Sequence, residues 1–156
     1  MIDFIEMWHE KARPVPNDDH LRVQTGCHFE EIQEMLASMR GADEYSDLML
    51  DRLHTALTVV ALGMKQGQIK FTVRDREDFL DSLCDQIVTG VGVGHCAGMN
   101  VSEAARRVNA SNWSKFKNGK PEFDKNGKIE KPDTYTPPNL EAVSYTHLTL
   151  PTNREV

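Results

Sequence analysis

Six carboxylates sit at spacings that could do chemistry. Glu30, Glu31 and Glu34 crowd into the stretch from His28 to Glu34, and Asp78, Asp81 and Asp85 recur three and four residues apart further along. On a helix, residues three and four apart are neighbours, so each set forms one acidic stripe. Taken alone, a stripe of this kind reads as a solvated face, because Glu and Asp are rarely buried. The second stripe carries more weight because of its surroundings. Phe79, Leu80, Leu83, Cys84, Ile87, Val88 and Val91 cover about half the circumference of its helix at 100° per residue. Gly90, Gly92 and Gly94 would permit close helix contact, so the pattern predicts a largely buried helix. No Lys or Arg lies between Glu77 and Ala105, nor between Phe29 and Met39. Carboxylates withdrawn from water need partners. If the two stripes face each other, the nearest neutraliser is a bound cation, and hard oxygen ligands suit Mg²⁺, or alternatively Mn²⁺, better than zinc.

Five helices would have to position these groups. Phe4, Ile5 and Trp8 give an amphipathic helix from Asp3 to about Ala12, broken by Pro14 and Pro16. Asn17 or Asp18 caps a second helix running to about Met39, ended by Gly41. The third covers roughly 43–65, on the apolar spacing of Leu48, Leu50, Leu53, Leu57, Val60 and Leu62. An extended link, 69–73, leads to a fourth helix from about Asp75 to Ala97, closed by Gly98. The fifth spans roughly 101–116, with Asn100 and Glu103 placed for a capping box. Two Asn-Gly turns, Asn118-Gly119 and Asn126-Gly127, then signal a hairpin, and Pro132, Pro137 and Pro138 an extended strap. The expected fold is all-α: an antiparallel bundle of four to five helices over residues 1–116, with a short hairpin and strap over 117–142.

Composition bounds the function. The chain has 156 residues, 39% hydrophobic and 27% charged, which suits one globular domain with its own core. A formal net charge of −6 argues against nucleic acid or an anionic membrane as partner. No apolar run approaches the roughly 18–20 residues needed to span a bilayer. Met1-Ile2-Asp3-Phe4 lacks the flanks of a signal peptide, so a cytoplasmic location is expected. Cys27, Cys84 and Cys96 form no C-x-x-C pair and read as reduced, mostly buried thiols. Zinc at Cys27-His28 or His95-Cys96 is disfavoured, because adjacent helical residues diverge. The stretch from Val143 through Ser144, Tyr145, Thr146 and His147 to Val156 resembles translated sequencing-adaptor DNA. Residues 143–156 are therefore expected to be an artefact with no structural role.

Glu30-Glu31-x-x-Glu34 followed by an Asp-rich acidic helix is similar to the two-part motif of the all-α nucleoside triphosphate pyrophosphohydrolases. That superfamily includes MazG-like proteins, dimeric dUTPases and phosphoribosyl-ATP pyrophosphohydrolases. The run from Asp81 to Gly98 resembles its second motif, and Ser111-Asn112-Trp113-Ser114-Lys115-Phe116 with the Asn-Gly turns looks like the end segment of phage-type members. The resemblance covers residues 1–142. It implies Mg²⁺-dependent hydrolysis of a (deoxy)nucleoside triphosphate to the monophosphate and pyrophosphate by a homodimer or higher oligomer. It further implies Glu31, Glu34 and Asp85 as direct metal ligands, with Asp81 next, and Glu30 as the residue that orients or deprotonates water. Asn112 and Lys115, from the end segment, are the candidate phosphate donors; Arg106, Arg107 and Lys117 are weaker ones. Arg22, about two turns before the first motif, could also reach a phosphate. One departure stands out: the family places Glu-x-x-Asp in the second motif, and here Ser82 occupies the Glu position. A register using Asp78 and Asp81 remains open, although Gly98 then falls at the wrong distance.

Two other readings compete. Residues 101–115, with Arg106, Arg107, Lys115 and Lys117, sound like part of a helix-turn-helix that would meet DNA phosphates. Against this stand the acidic net charge and two carboxylate helices with no task. A catalytically inactive nucleotide-binding bundle would share every motif and differ only in turnover, and Ser82 keeps it in view.

Overall fold

The computed structural model describes residues 1–144. It is all-α, as expected, with α1 at Ile2–Ala12, α2 at Asp18–Ala37, α3 at Glu44–Lys65, α4 at Arg76–Cys96 and α5 at Val101–Trp113. The helices start where short polar side chains can satisfy the otherwise orphaned amides of the first turn. Asn17, Asp43, Asp75 and Asn100 each accept such a bond. At Asn17 the cap is reciprocal, since Nδ1 of His20 accepts the Asn17 backbone N–H at 3.2 Å. At Asn100 the Glu103 carboxylate instead takes Arg106 and Arg107. α3 and α4 both end in Schellman turns, with Gly67 (φ 78°) and Gly98 (φ 71°) in the left-handed region that only glycine enters without strain.

The chain divides into two compact units. One consists of Glu10–Thr72 and Lys120–Glu130. The other comprises Met1–His9, Val73–Gly119 and the chain from Lys131. This division cuts across the expected boundary at residue 116, because the hairpin and the strap go to different units.

In the first unit α2 and α3 form an antiparallel pair. Gly26 lies against Ala61 and Met64, Gln33 meets His54, and the loop residue Gly41 donates to Asp47. The approach is close. A Cβ at position 26 would stand 2.9 Å from the Ala61 carbonyl oxygen and 3.1 Å from Met64 Cβ. Ala12, Val23, Leu36, Ala61 and Met64 make up the core here. Residues 120–130 form the expected hairpin with a single antiparallel bridge, Phe123 to Ile129, closed by Asp124, whose Oδ1 accepts the Asn126 and Lys128 amides at 2.8 Å each.

In the second unit the strap runs antiparallel along α5. Ser111 Oγ donates to the Thr136 carbonyl at 2.7 Å, Arg107 to the Asn139 carbonyl at 2.8 Å, and the Asn100 amide to the Val143 carbonyl at 3.0 Å. Val143 is buried and sits in a short 3₁₀ turn, Glu141–Val143, so this residue takes part in the fold. Ser144 donates its amide to the Leu140 carbonyl at 3.0 Å, and residues 145–156 of the suspected artefact lie outside the described residues. Trp8 packs edge-on to Phe116 at 5.7 Å and donates its indole N–H to the Asn112 carbonyl at 2.9 Å. Phe4 and Ile5, expected on the same apolar side, are exposed.

α4 departs most from expectation. Leu80, Ile87, Val88, Val91 and Val93 are all exposed, and Val88 keeps 67% of its surface. Among the described residues, only Gly94 of its three closely spaced glycines meets a neighbour, Val101, and nothing lies within 4 Å of a Cβ at Gly90 or Gly92. The helix expected to be largely buried is open to solvent in the single chain. Apolar periodicity reports the burial a helix requires, and the described residues do not supply it. Cys84 and Cys96 are exposed for the same reason, which corrects the expectation of mostly buried thiols; Cys27 is half-buried.

Candidate functional site

Glu30, Glu31 and Glu34 lie in the second half of α2, where about two uninterrupted turns from His28 to Glu34 hold them on neighbouring positions. Glu30 is half-buried and doubly engaged. Lys65, on the last turn of α3, bonds its Oε1 at 2.5 Å, and Lys128, beyond the hairpin turn, bonds its Oε2 at 2.6 Å. Burial alone would raise the proton affinity of Glu30. The two ammonium groups outweigh it and hold the carboxyl below its ordinary range. Burial likewise opposes the charge on Lys128, yet its bond to Glu30 leaves it raised. A bound metal ion was expected as the nearest neutraliser if the two stripes face each other; at Glu30 lysines from two distant segments take that role. Cys27, one turn earlier, has its thiol pushed up by burial.

Glu31 and Glu34 are exposed, one helical turn apart. Asp81 and Asp85 are exposed on α4, one turn apart, in the other unit. The Asp85 backbone carbonyl accepts the Thr89 hydroxyl at 2.8 Å, a bond within the helix that leaves the carboxylate outside it. Each pair offers the hard oxygen donors that Mg²⁺ takes, and neither by itself completes an octahedral shell. Among the described residues, no group of three or more His, Cys, Asp or Glu side chains is gathered closely enough to hold a metal ion. The donor chemistry thus suits the ion, while the four carboxylates stand as two half-sets on separate units.

The basic candidates are also placed. Arg22 is largely buried and donates to the Met64 carbonyl at the end of α3 and, at 2.8 Å, to Asp19. A cation there adds a bond to a carbonyl of the last turn and complements the negative end of the helix dipole. Asn112 and Lys115 lie at the end of α5 and just beyond it, both half-buried, with the Lys115 ammonium 5.9 Å from the Tyr135 ring centroid. Arg106 and Arg107 both lean on Glu103, and Lys117 pairs with Asp133 at 3.1 Å. α5 ends at Trp113, short of the expected 116, because Ser114 turns its hydroxyl back to the Ser111 carbonyl while accepting the Thr136 amide.

Lys65 and Lys128 were missed in the sequence because they lie 35 and 98 residues from Glu30. Proximity along the chain carries no signal for such pairs. No helix among the described residues is long and apolar enough to cross a membrane. Comparison with protein-family models, with curated proteins and with solved structures returned no match.

Proposed function

We propose that the chain is a Mg²⁺-dependent pyrophosphohydrolase that cleaves a (deoxy)nucleoside triphosphate to the monophosphate and pyrophosphate, acting as a homodimer or higher oligomer. The observation that carries this reading is the pair of exposed carboxylate steps, Glu31 with Glu34 on α2 and Asp81 with Asp85 on α4. Exposed acids one turn apart on two helices give oxygen donors without the lysine partners that occupy Glu30. The exposed apolar flank of α4 supports self-association, since a second copy would bury it.

When bound, Mg²⁺ supplies charge neutralisation at the phosphates and polarises water. Glu31 with Glu34 on one unit, and Asp85 with Asp81 on the other, would each offer it carboxylate oxygens. Glu30, kept ionised by Lys65 and Lys128, is fitted to orient water by accepting a hydrogen bond. It is less suited to take the proton, because stabilising a carboxylate lowers its basicity. Arg22 is tied to Met64 and Asp19, and Asn112 and Lys115 are the phosphate donors that the end-segment resemblance implies.

The test is to incubate residues 1–144 with each canonical NTP and dNTP, with Mg²⁺ and with EDTA, and to resolve the products. Metal-dependent release of monophosphate and pyrophosphate is expected. No turnover of any nucleotide by folded protein overturns the reading and leaves a binder or a scaffold.

A further inference from the structure

An open cleft of about 700 Å³ lies in the α2/α3 unit, between the proline-broken link that follows α1, the start of α2 and the tip of the 120–130 hairpin. Arg13, Arg22 and Lys125 line it, against one acidic residue, Asp19. In a chain of net charge −6 this is a locally positive concavity. Asp19 is already paired with Arg22, which leaves Arg13 and Lys125 as the uncompensated charges.

Arg13 is the distinctive group. Its guanidinium sits 4.7 Å over the Phe123 ring and donates one N–H to the Gly127 carbonyl. It is half-buried, and its proton affinity is lowered because burial disfavours the cation. Among the described residues no carboxylate pairs with it. A desolvated guanidinium without a counter-charge is costly to maintain, and an anion would relieve that cost. Its remaining N–H donors are held in a fixed plane by the ring on one side and the carbonyl at one corner. That preorganised fork is the geometry that phosphate oxygens accept in pairs.

We propose that this cleft is a phosphate-binding site, in which Arg13 supplies the fixed fork and Lys125 a mobile point charge. Its ligand is a free or nucleotide-borne phosphate group. The site does not depend on the hydrolase reading, because the proposal needs neither metal nor turnover.

The full chain is titrated, at low salt and with EDTA present, with inorganic pyrophosphate and separately with a nucleoside monophosphate, following backbone amide shifts by NMR. Saturable binding of at least one probe is expected, with shifts concentrated at residues 12–23 and 123–127. Lys125→Glu, on an exposed side chain, should weaken it at least tenfold, whereas Arg52→Glu on α3, outside the cleft, should leave it unchanged. Arg13→Lys keeps the charge and loses the fork, so it should weaken binding as well. Tighter binding of pyrophosphate identifies a free phosphate ligand; tighter binding of the monophosphate identifies a nucleotide-borne one. Absence of saturable binding, shifts spread over the surface, or equal loss in Lys125→Glu and Arg52→Glu would overturn the proposal.

Discussion

α2 and α4 are helices of nearly equal length, 20 and 21 residues, and each carries an acidic stripe beside apolar positions. Their circumstances differ sharply. α2 lies against α3 so closely that Gly26 leaves no room for a methyl group, and its most buried acid is held by two lysines. α4 touches α5 at Gly94, while most of its apolar residues and its acids face solvent. The same pattern of residues is satisfied within the chain in one case and left unsatisfied in the other. A helix's periodicity states how much burial it needs; it does not say which element provides it.

The sharpest way to test whether the two acidic stripes share one task is to neutralise each in turn. Glu34→Gln and Asp85→Asn should each lower metal-dependent turnover by at least about 100-fold, beyond the loss typical of residues that merely orient a ligand. A large loss in one and none in the other, measured as steady-state kcat/KM, would separate the stripes.

Glycine substitutions should give opposite signs. Gly26→Ala must push against the Ala61 carbonyl and is expected to cost about 2 kcal/mol in urea unfolding, as overpacking does. Gly90→Ala meets no described residue within 4 Å and should stabilise the isolated chain by about 0.5–1 kcal/mol through helix propensity. If a second copy packs on α4 at Gly90, the same change should weaken association in sedimentation instead.

The thiols read the comparison without mutation. Cys84 on α4 should react with a maleimide at least about ten times faster than Cys27, whose thiolate is disfavoured by burial. Protection of Cys84 that grows with protein concentration would mark the covered face.

A pH-dependent effect is expected at Glu30. Its folded pKa lies below its unfolded value, so its stabilisation is fully present above the unfolded pKa, roughly 4.3, and is lost as pH falls through the folded one. Glu30→Gln should cost about 1 kcal/mol at neutral pH and flatten the acid limb of a Tm–pH profile. An unchanged acid limb would mean that the lysine bonds contribute nothing.

The helices themselves were largely legible, because caps such as Asn17 and Asn100 and closing glycines such as Gly98 act within a few residues of what they control. Asn126-Gly127 announced its hairpin for the same reason. What the sequence hid was set through space. Lys65 and Lys128 reach Glu30 across long separations, and Arg22 serves the end of α3. The early end of α5 depends on the strap at Thr136. The acids of the candidate site were readable as stripes, but the openness of α4 was not, since apolar spacing is identical whether its partner lies in the same chain or elsewhere.

The α2/α3 unit is discontinuous: its last piece, Lys120–Glu130, follows 47 residues belonging to the other unit, Val73–Gly119. During synthesis α2 and α3 can pair as soon as they emerge, from contacts between neighbouring segments. Arg13 and Glu30 must then wait for Gly127 and Lys128 while the intervening segment Val73–Gly119 is made. A nascent chain stalled after residue 119 should therefore hold a formed helical pair with Glu30 on a single lysine and Arg13 without its aromatic platform. Maturation of this unit is a late event in the life of the polypeptide, even though most of its residues are made early.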